Sequence, residues 1–400
     1  MFLAHRLQGI APSPTLSMGE KAKELKSQGH DVLDLGAGEP DFDTPNFIKD
    51  AGILAIQKGF TKYTAVDGIG PLKKVIQKKF QEENNLSYDL NEIIVTSGAK
   101  QGIFNALCAT LNPGDAVIIP APYWVSYEAI VQMMGGAPII IPCGERENFK
   151  LTAELLEAYI TPQTKWLILN SPSNPTGAVY SKEDLESLAG VLRKYAHVHI
   201  MSDDIYEHII YAPDQFYTLP MVAPDLKERT LIINGVSKSF SMTGWRLGYA
   251  AGPKALISAM KNIQSQSTSN ACSISQHAAL GALEGDRNLF KINVAIFQER
   301  RDFIVKALND IPGLTCATPQ GAFFVYPSCV DFIGYKTPQG NVIQTDSDFS
   351  TYLLEHALVA VIPGVAFGLS PYFRISYATD LETLKKAVAR IARACGDLSH

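Results

Sequence analysis

Short apolar runs recur through the first three quarters of the chain, each bounded by turn residues and separated by longer stretches with helically spaced apolar positions. The runs are Ile93–Thr96, Val117–Ile119, Pro138–Ile141, Trp166–Leu169, Val198–Met201, Leu231–Ile233 and Leu247–Ala250. Continuous rather than alternating apolar character predicts strands covered on both faces, as in a largely parallel sheet. Helix patterns follow Lys100, Tyr123 and Pro253, and another starts at Ser181, where an N-cap and acidic residues precede Leu185, Leu188 and Leu192. The alternation predicts an α/β domain over roughly residues 45–290.

The pattern then changes. A long helical stretch near Asn288–Leu308 leads into Ala322–Tyr326; a helix near Asp348–His356 precedes Val359–Ile362; Phe373–Ser376 and a helix from about Leu381 to Cys395 close the chain. Residues 291–400 read as a smaller α+β domain. Residues 1–44 have no evident place in the large sheet and are expected to join that domain, making it discontinuous.

Composition narrows the function. The chain has 400 residues, 46% hydrophobic and 19% charged, enough for two domains with sizeable cores. A formal charge of −5, without basic runs, argues against a nucleic-acid partner. No apolar stretch is long enough to span a bilayer, and the first residues lack a secretory pattern, so a soluble cytoplasmic protein is expected. Six cysteines show neither CxxC pairs nor zinc-ligand spacing. Buried free thiols and no metal are expected.

Candidate chemistry centres on Ser237–Gly248, which follows the Leu231–Ile233 run and places Lys238 among small and apolar residues. A desolvated lysine there loses proton affinity and becomes an amine nucleophile. Arg246 offers a fork suited to phosphate. The Val198–Met201 run ends in Ser202-Asp203-Asp204-Ile205-Tyr206, where a carboxylate can face a buried heterocycle; the spacing alone does not choose between the two aspartates. Asn174 lies in a turn fixed by Pro172, Pro175 and Gly177. Ser97, Gly98 and Ala99 lead into a helix whose first N–H groups can meet an anion. Lys100 sits where the helix dipole disfavours a cation, so it is either simply solvated or faces an anion. Gly38 can bring backbone close to a carboxylate, and Trp124 can stack on a flat ring or fill the core. Arg374 interrupts an apolar strand and requires an anionic partner, from the protein or from a ligand.

Taken together and in order, GAGEPDFDTP, KYTAVDGI, SPSNPTG, SDDIYE, GVSKSFSMTGWRLGYAAGP and FRISYA resemble the class I aminotransferases of the pyridoxal-phosphate (PLP) fold type I superfamily, most of all the bacterial aspartate aminotransferase subgroup. The likeness covers nearly the whole chain. It implies that Lys238 forms a Schiff base with PLP, that Asp203 meets the pyridine nitrogen, and that Tyr206 and Asn174 meet the phenolic oxygen. It implies Trp124 on the ring face, Ser97, Gly98, Ala99, Ser237 and Arg246 on the phosphate, and Tyr63 on the phosphate of a neighbouring subunit in a homodimer with shared sites. Gly38, Trp124, Asn174 and Arg374 would bind the amino-acid substrate, the α-carboxylate falling to Gly38, Asn174 and Arg374, with Lys100 and Ser13 on a distal carboxylate.

The implied reaction is ping-pong transamination between aspartate and 2-oxoglutarate, with Lys238, Asp203 and Tyr206 as the reacting machinery. Relatives that also take prephenate carry basic residues where this chain has Ala11 and His30, which argues against prephenate. Aromatic or other amino-acid specificity on the same scaffold is the near alternative. A ligand-binding regulator on this fold is the remote one; no basic helix-turn-helix extension is visible.

Overall fold

A computed structural model describes residues 14–400 together with Phe2 and Ala4. Ser13 and Ala11 lie outside the described residues. Twelve strands are present among the described residues: β1 (Leu33–Asp34), β2 (Ile93–Thr96), β3 (Ala116–Ala121), β4 (Ala137–Pro142), β5 (Thr164–Asn170), β6 (His199–Asp203), β7 (Thr230–Gly235), β8 (Gly248–Ala251), β9 (Phe324–Val325), β10 (Val359–Ala360), β11 (Ile362–Pro363) and β12 (Phe373–Ser376).

Seven of them form the central sheet, in the order β2-β8-β7-β6-β5-β3-β4. Pairing is parallel except around β8, which runs antiparallel to both β2 and β7. The runs lack polar alternation because both faces are covered. Leu231 and Ile233 of β7 and Met201 of β6 point into one apolar layer under the helices Ala99–Thr110 and Lys254–Ser267. Their neighbours Ile232 and Ile200 point to the other face, under Gly70–Asn84, Ser273–Glu284 and Lys182–Lys194. The two-residue period of a strand divides the run between two cores.

Beyond the sheet, β1 pairs parallel with β10, and β11-β12-β9 form a small antiparallel sheet. A further core joins the helices Asn288–Asn309, Asp346–His356 and Leu381–Gly396 to Phe323, Phe324 and Phe373, and Leu35 packs into it. Two runs behave differently from their sequence pattern. Val359–Ile362 divides into two strands of different sheets, and only Phe324–Val325 of Ala322–Tyr326 is paired. Ala322 has φ +55°, which takes it out of strand geometry. All six cysteines are free; Cys143, Cys316, Cys329 and Cys395 are buried, Cys108 is half-buried and Cys272 is exposed, against the expectation of burial. No helix among the described residues is long and apolar enough to cross a membrane.

The Lys182–Lys194 helix shows how local sequence fixes an element. Ser181 accepts from the Asp184 N–H at 3.2 Å, and the Asp184 carboxylate accepts from the Ser181 N–H at 2.9 Å. Ser181→Ala should lower unfolding stability by about 1 kcal/mol, read as a lower denaturant midpoint at unchanged slope.

Candidate active site

The ends of β5, β6 and β7 open onto one cavity of about 560 Å³. This is the edge where parallel sheets leave backbone and side chains free for ligands. Asn170 ends β5, Asp203 ends β6, and Ser237 and Lys238 follow β7. The opposite wall comes from Gly36, Gly38 and Glu39 after β1, from Ile362 in β11 and from Arg374 in β12.

Lys238 donates from Nζ to the Gly38 carbonyl at 2.6 Å. Burial pushes its amine down to about 8; Glu39 opposes the shift, while Arg374 and Arg246 add to it. Asp203 and Asp204, equivalent by spacing, are separated by the alternation of β6. Asp203 lines the cavity and accepts from the Tyr127 hydroxyl at 2.6 Å. Asp204 is turned away and accepts from Ser202 Oγ at 2.7 Å. Burial raises Asp203 to about 6, against the Tyr127 bond that favours its charge. Tyr206 lies beside it, with the Lys238 amine 5.8 Å from its ring centre. Burial raises the Tyr206 phenol, which stays protonated at neutral pH.

Arg374 is 3% exposed. Its Nη1 donates to Asn174 Oδ1 at 2.9 Å and its Nη2 to the Gly36 carbonyl at 2.7 Å, while Nε is buried without a partner. Phe324 and Phe367 flank the guanidinium at 4.5 and 5.0 Å. Burial lowers its pKa to about 10. No carboxylate lies within ion-pair distance of it among the described residues, which leaves the guanidinium free to take an anion from a ligand. Asn174 is itself held, its N–H donating to Asn170 Oδ1 at 2.9 Å.

A second place suited to an anion lies at the start of the Ala99–Thr110 helix. Gly98 has φ +86°, and a Cβ there would fall 2.4 Å from Arg246 Nη2. A Cβ on Gly248 would fall 2.4 Å from the Ala99 N. These two glycines let β8 and the guanidinium lie against the helix N-terminus, where positive charge and free N–H groups favour an anion. Ala99 and Ser237 line the cavity; Ser97 and Gly98 shape the turn behind it.

Lys100 and Trp124 meet at the cavity rim, the ammonium 4.8 Å from the indole ring centre. Burial and then Arg246 lower the Lys100 pKa. Tyr63 is not in the cavity: it is 91% exposed. Several site residues were not read from the sequence. Tyr127 lies three residues beyond Trp124, one helical turn away, and that spacing was its only signal. Gly36 acts through its carbonyl, which leaves no trace in side-chain type.

The chain was compared with known proteins. The family model for aminotransferase class I and II matches residues 30–391. A Rickettsia felis protein named "probable aspartate/prephenate aminotransferase" is 56% identical over 397 residues, covering 99% of this chain and 97% of the relative. The solved structure of the aspartate aminotransferase from Rhizobium meliloti superposes with a TM-score of 0.97 at 53% identity, covering all of both chains. That of the Thermus thermophilus aspartate aminotransferase with maleate gives 0.92 at 41%, covering 98% of this chain and 100% of the other.

The lowered Lys238 amine predicts a pH signature in the cofactor-free chain. Between pH 8 and the ordinary lysine value of 10.5, the unfolded state keeps a proton that the folded state has released. The unfolded state then binds more protons, so this group makes stability rise with pH across that window. Thermal midpoints should therefore gain on those of Lys238→Ala from pH 8 to 10. A pH-independent gap would refute the lowered amine.

Proposed function

The chain belongs to the aminotransferase class I and II family and is a PLP-dependent transaminase, and on that premise we propose that it moves the amino group of L-aspartate to 2-oxoglutarate, giving oxaloacetate and L-glutamate. One observation carries the substrate reading. Arg374 and Lys100 line a single cavity, and neither has a carboxylate of the chain to pair with among the described residues. Two unmatched cations suit a substrate with a carboxylate at each end. The Thermus thermophilus relative was solved with maleate, itself a dicarboxylate.

The residues fit the cofactor on the geometry above. Arg246, Ser237 and the Ser97–Ala99 turn would hold its phosphate, and Asp203 would hold a proton on the pyridine nitrogen. Tyr206 and Asn174 would meet the phenolic oxygen, Trp124 would cover the ring, and Lys238 would be its point of attachment. When bound, PLP supplies an electron sink for the pair left at the substrate carbon. The chain does the rest. Arg374, Asn174 and Gly38 fix the α-carboxylate and so orient the bond to be broken. Lys238 Nζ takes the Cα proton and returns it, a task suited to an amine near pH 8. Lys100 meets the distal carboxylate, together with Ser13, which lies outside the described residues.

A cytoplasmic homodimer with shared sites belongs to the same reading. Tyr63, at 91% exposure, stands beyond Phe47, Ile53, Leu54, Ile56 and Phe60, which form an exposed apolar surface on and after the Asn46–Gln57 helix. A second subunit over that surface would bring Tyr63 toward a neighbouring phosphate site. Prephenate is a second acceptor favoured by one observation: Lys23 lines the cavity from the Pro14–Ser27 helix, offering a further cation. His30, exposed, does not line it.

Lys238→Ala should abolish both the visible absorbance of bound cofactor and multiple turnover; retained turnover would overturn the assignment. Lys100→Ala should cut kcat/KM for aspartate about 10- to 100-fold while changing alanine or phenylalanine far less, since only aspartate loses a charge-assisted bond. Equal losses in a panel of half-reactions, with prephenate among the acceptors, would place Lys100 with the cofactor or the fold.

A further inference from the structure

On the far side of Lys238 from the substrate space lies a set of buried charges that the transamination chemistry above does not use. Glu207, directly after Tyr206, is buried, pairs with the fully buried Lys79, and accepts from Asn234 Nδ2 at 2.7 Å and Asn84 Nδ2 at 3.3 Å. Glu83 follows Lys79 by one helical turn. It accepts from His208 Nε2 at 2.8 Å, pairs with Arg287 at 3.0 Å and lies 3.7 Å from Lys79. His208 Nδ1 lies 3.1 Å from Ser239 Oγ, and its ring stacks on Phe290 at 4.3 Å.

Glu83, Glu207 and His208 are close enough together to hold a metal ion. Lys79 already supplies the cation, pairing with both carboxylates, and Arg287 balances the second. Burial alone would raise both carboxyls; Lys79 acts on Glu207, and His208 with Lys79 and Arg287 on Glu83, and each is left below its ordinary value. The set is a charge-balanced network rather than an empty ligand cage, although Arg287 Nη1 is buried without a partner.

Its bonds cross between the two segments that carry the reactive groups. Glu207 and His208 continue the segment bearing Asp203 and Tyr206; Asn234 and Ser239 flank Ser237 and Lys238. Two crosslinks, Glu207–Asn234 and His208–Ser239, therefore set one segment against the other, and Lys79 and Glu83 fix the Glu207–His208 end to the Gly70–Asn84 helix. Because Glu83 accepts from Nε2–H, the hydrogen-bond network assigns Nδ1 to the Ser239 hydroxyl. His208, Ser239 and Lys238 border one void of about 10 Å³, and Ser239 directly follows Lys238 in the chain, so the His208–Ser239 bond fixes the backbone from which the lysine stem springs.

We propose that His208, oriented by Glu83, is a positioning residue for Lys238, acting through Ser239 to hold the long lysine side chain in line for proton transfer. This rests on Lys238 being the cofactor-binding and proton-moving residue. A lysine stem has several rotatable bonds, and a misplacement of the order of an ångström at the reacting amine costs rate without costing substrate affinity.

The test uses the PLP-loaded enzyme. His208→Phe keeps the stack on Phe290 and loses both hydrogen bonds; Ser239→Ala removes the far end of the relay with little risk to folding. Each should lower kcat about tenfold with KM for aspartate within about twofold. Each should also shift the midpoint of the pH titration of the bound cofactor's visible absorbance. The double variant should be no slower than the slower single one, because both remove one relay. His208→Asn, which can still bond Ser239, should recover part of kcat. A kcat within about twofold of the parent with an unshifted midpoint, or additive losses in the double variant, would overturn the proposal, as would a lower melting temperature alone. The absorbance titration needs no substrate. A wrong aspartate assignment would therefore appear as missing turnover with aspartate and leave this readout intact.

Discussion

A buried guanidinium with no carboxylate beside it among the described residues is the constraint around which this molecule is arranged. Arg374 reaches its place on β12 surrounded by Phe324 and Phe367, with one polar edge on Asn174 and Gly36 and a buried Nε left over. Neutral acceptors cannot balance its charge, and desolvation of that charge costs several kcal/mol. An anion supplied from outside, as proposed for the substrate carboxylate, would offset that cost. The three groups that meet at this point come from residues 36, 174 and 374, so the cavity exists only when chain regions far apart in sequence have been assembled.

The same logic orders the rest of the cavity. Lys238, Arg246, Lys100 and Arg374 face one space; burial lowers the Lys238 amine most, and Arg374 and Arg246 add to the shift. Asp203 is the buried counterweight, tuned upward by burial and back by Tyr127. Positive charge gathered in this way selects anionic ligands and supplies a usable neutral amine at the same time. Desolvation and neighbouring charge therefore act together on the amine.

Much of this was legible in the sequence, for identifiable reasons. The seven strands of the central sheet announced themselves because burial on both faces leaves uninterrupted apolar runs. The Ser181 cap was visible because its partner Asp184 lies three residues away. Lys238 and Arg374 stood out as charges in apolar surroundings. What stayed hidden depends on contacts between distant residues or on backbone atoms. The division of Val359–Ile362 between two sheets follows from separate partners, Leu33–Asp34 and Phe373–Arg374. The residue pattern alone left Asp203 and Asp204 equivalent, and only the family resemblance chose Asp203; the carbonyl of Gly36 has no side chain to advertise it.

The pairing of β1 with β10 has a consequence for how the chain is made. Leu33 sits against Val359 and Leu35 donates its N–H to the Ala360 carbonyl, so these early residues find their partners only near the end of the chain. On the ribosome the central sheet can gather while β1 waits unpaired, since its partner strand is translated more than a hundred residues after the sheet's final strand, β8. The cavity wall formed by Gly36 and Gly38 is therefore among the final parts to take shape, and a nascent chain halted before residue 359 holds Lys238 without the Arg374 side of its site. The order of synthesis thus keeps Lys238 and Arg374 apart until the polypeptide is nearly whole.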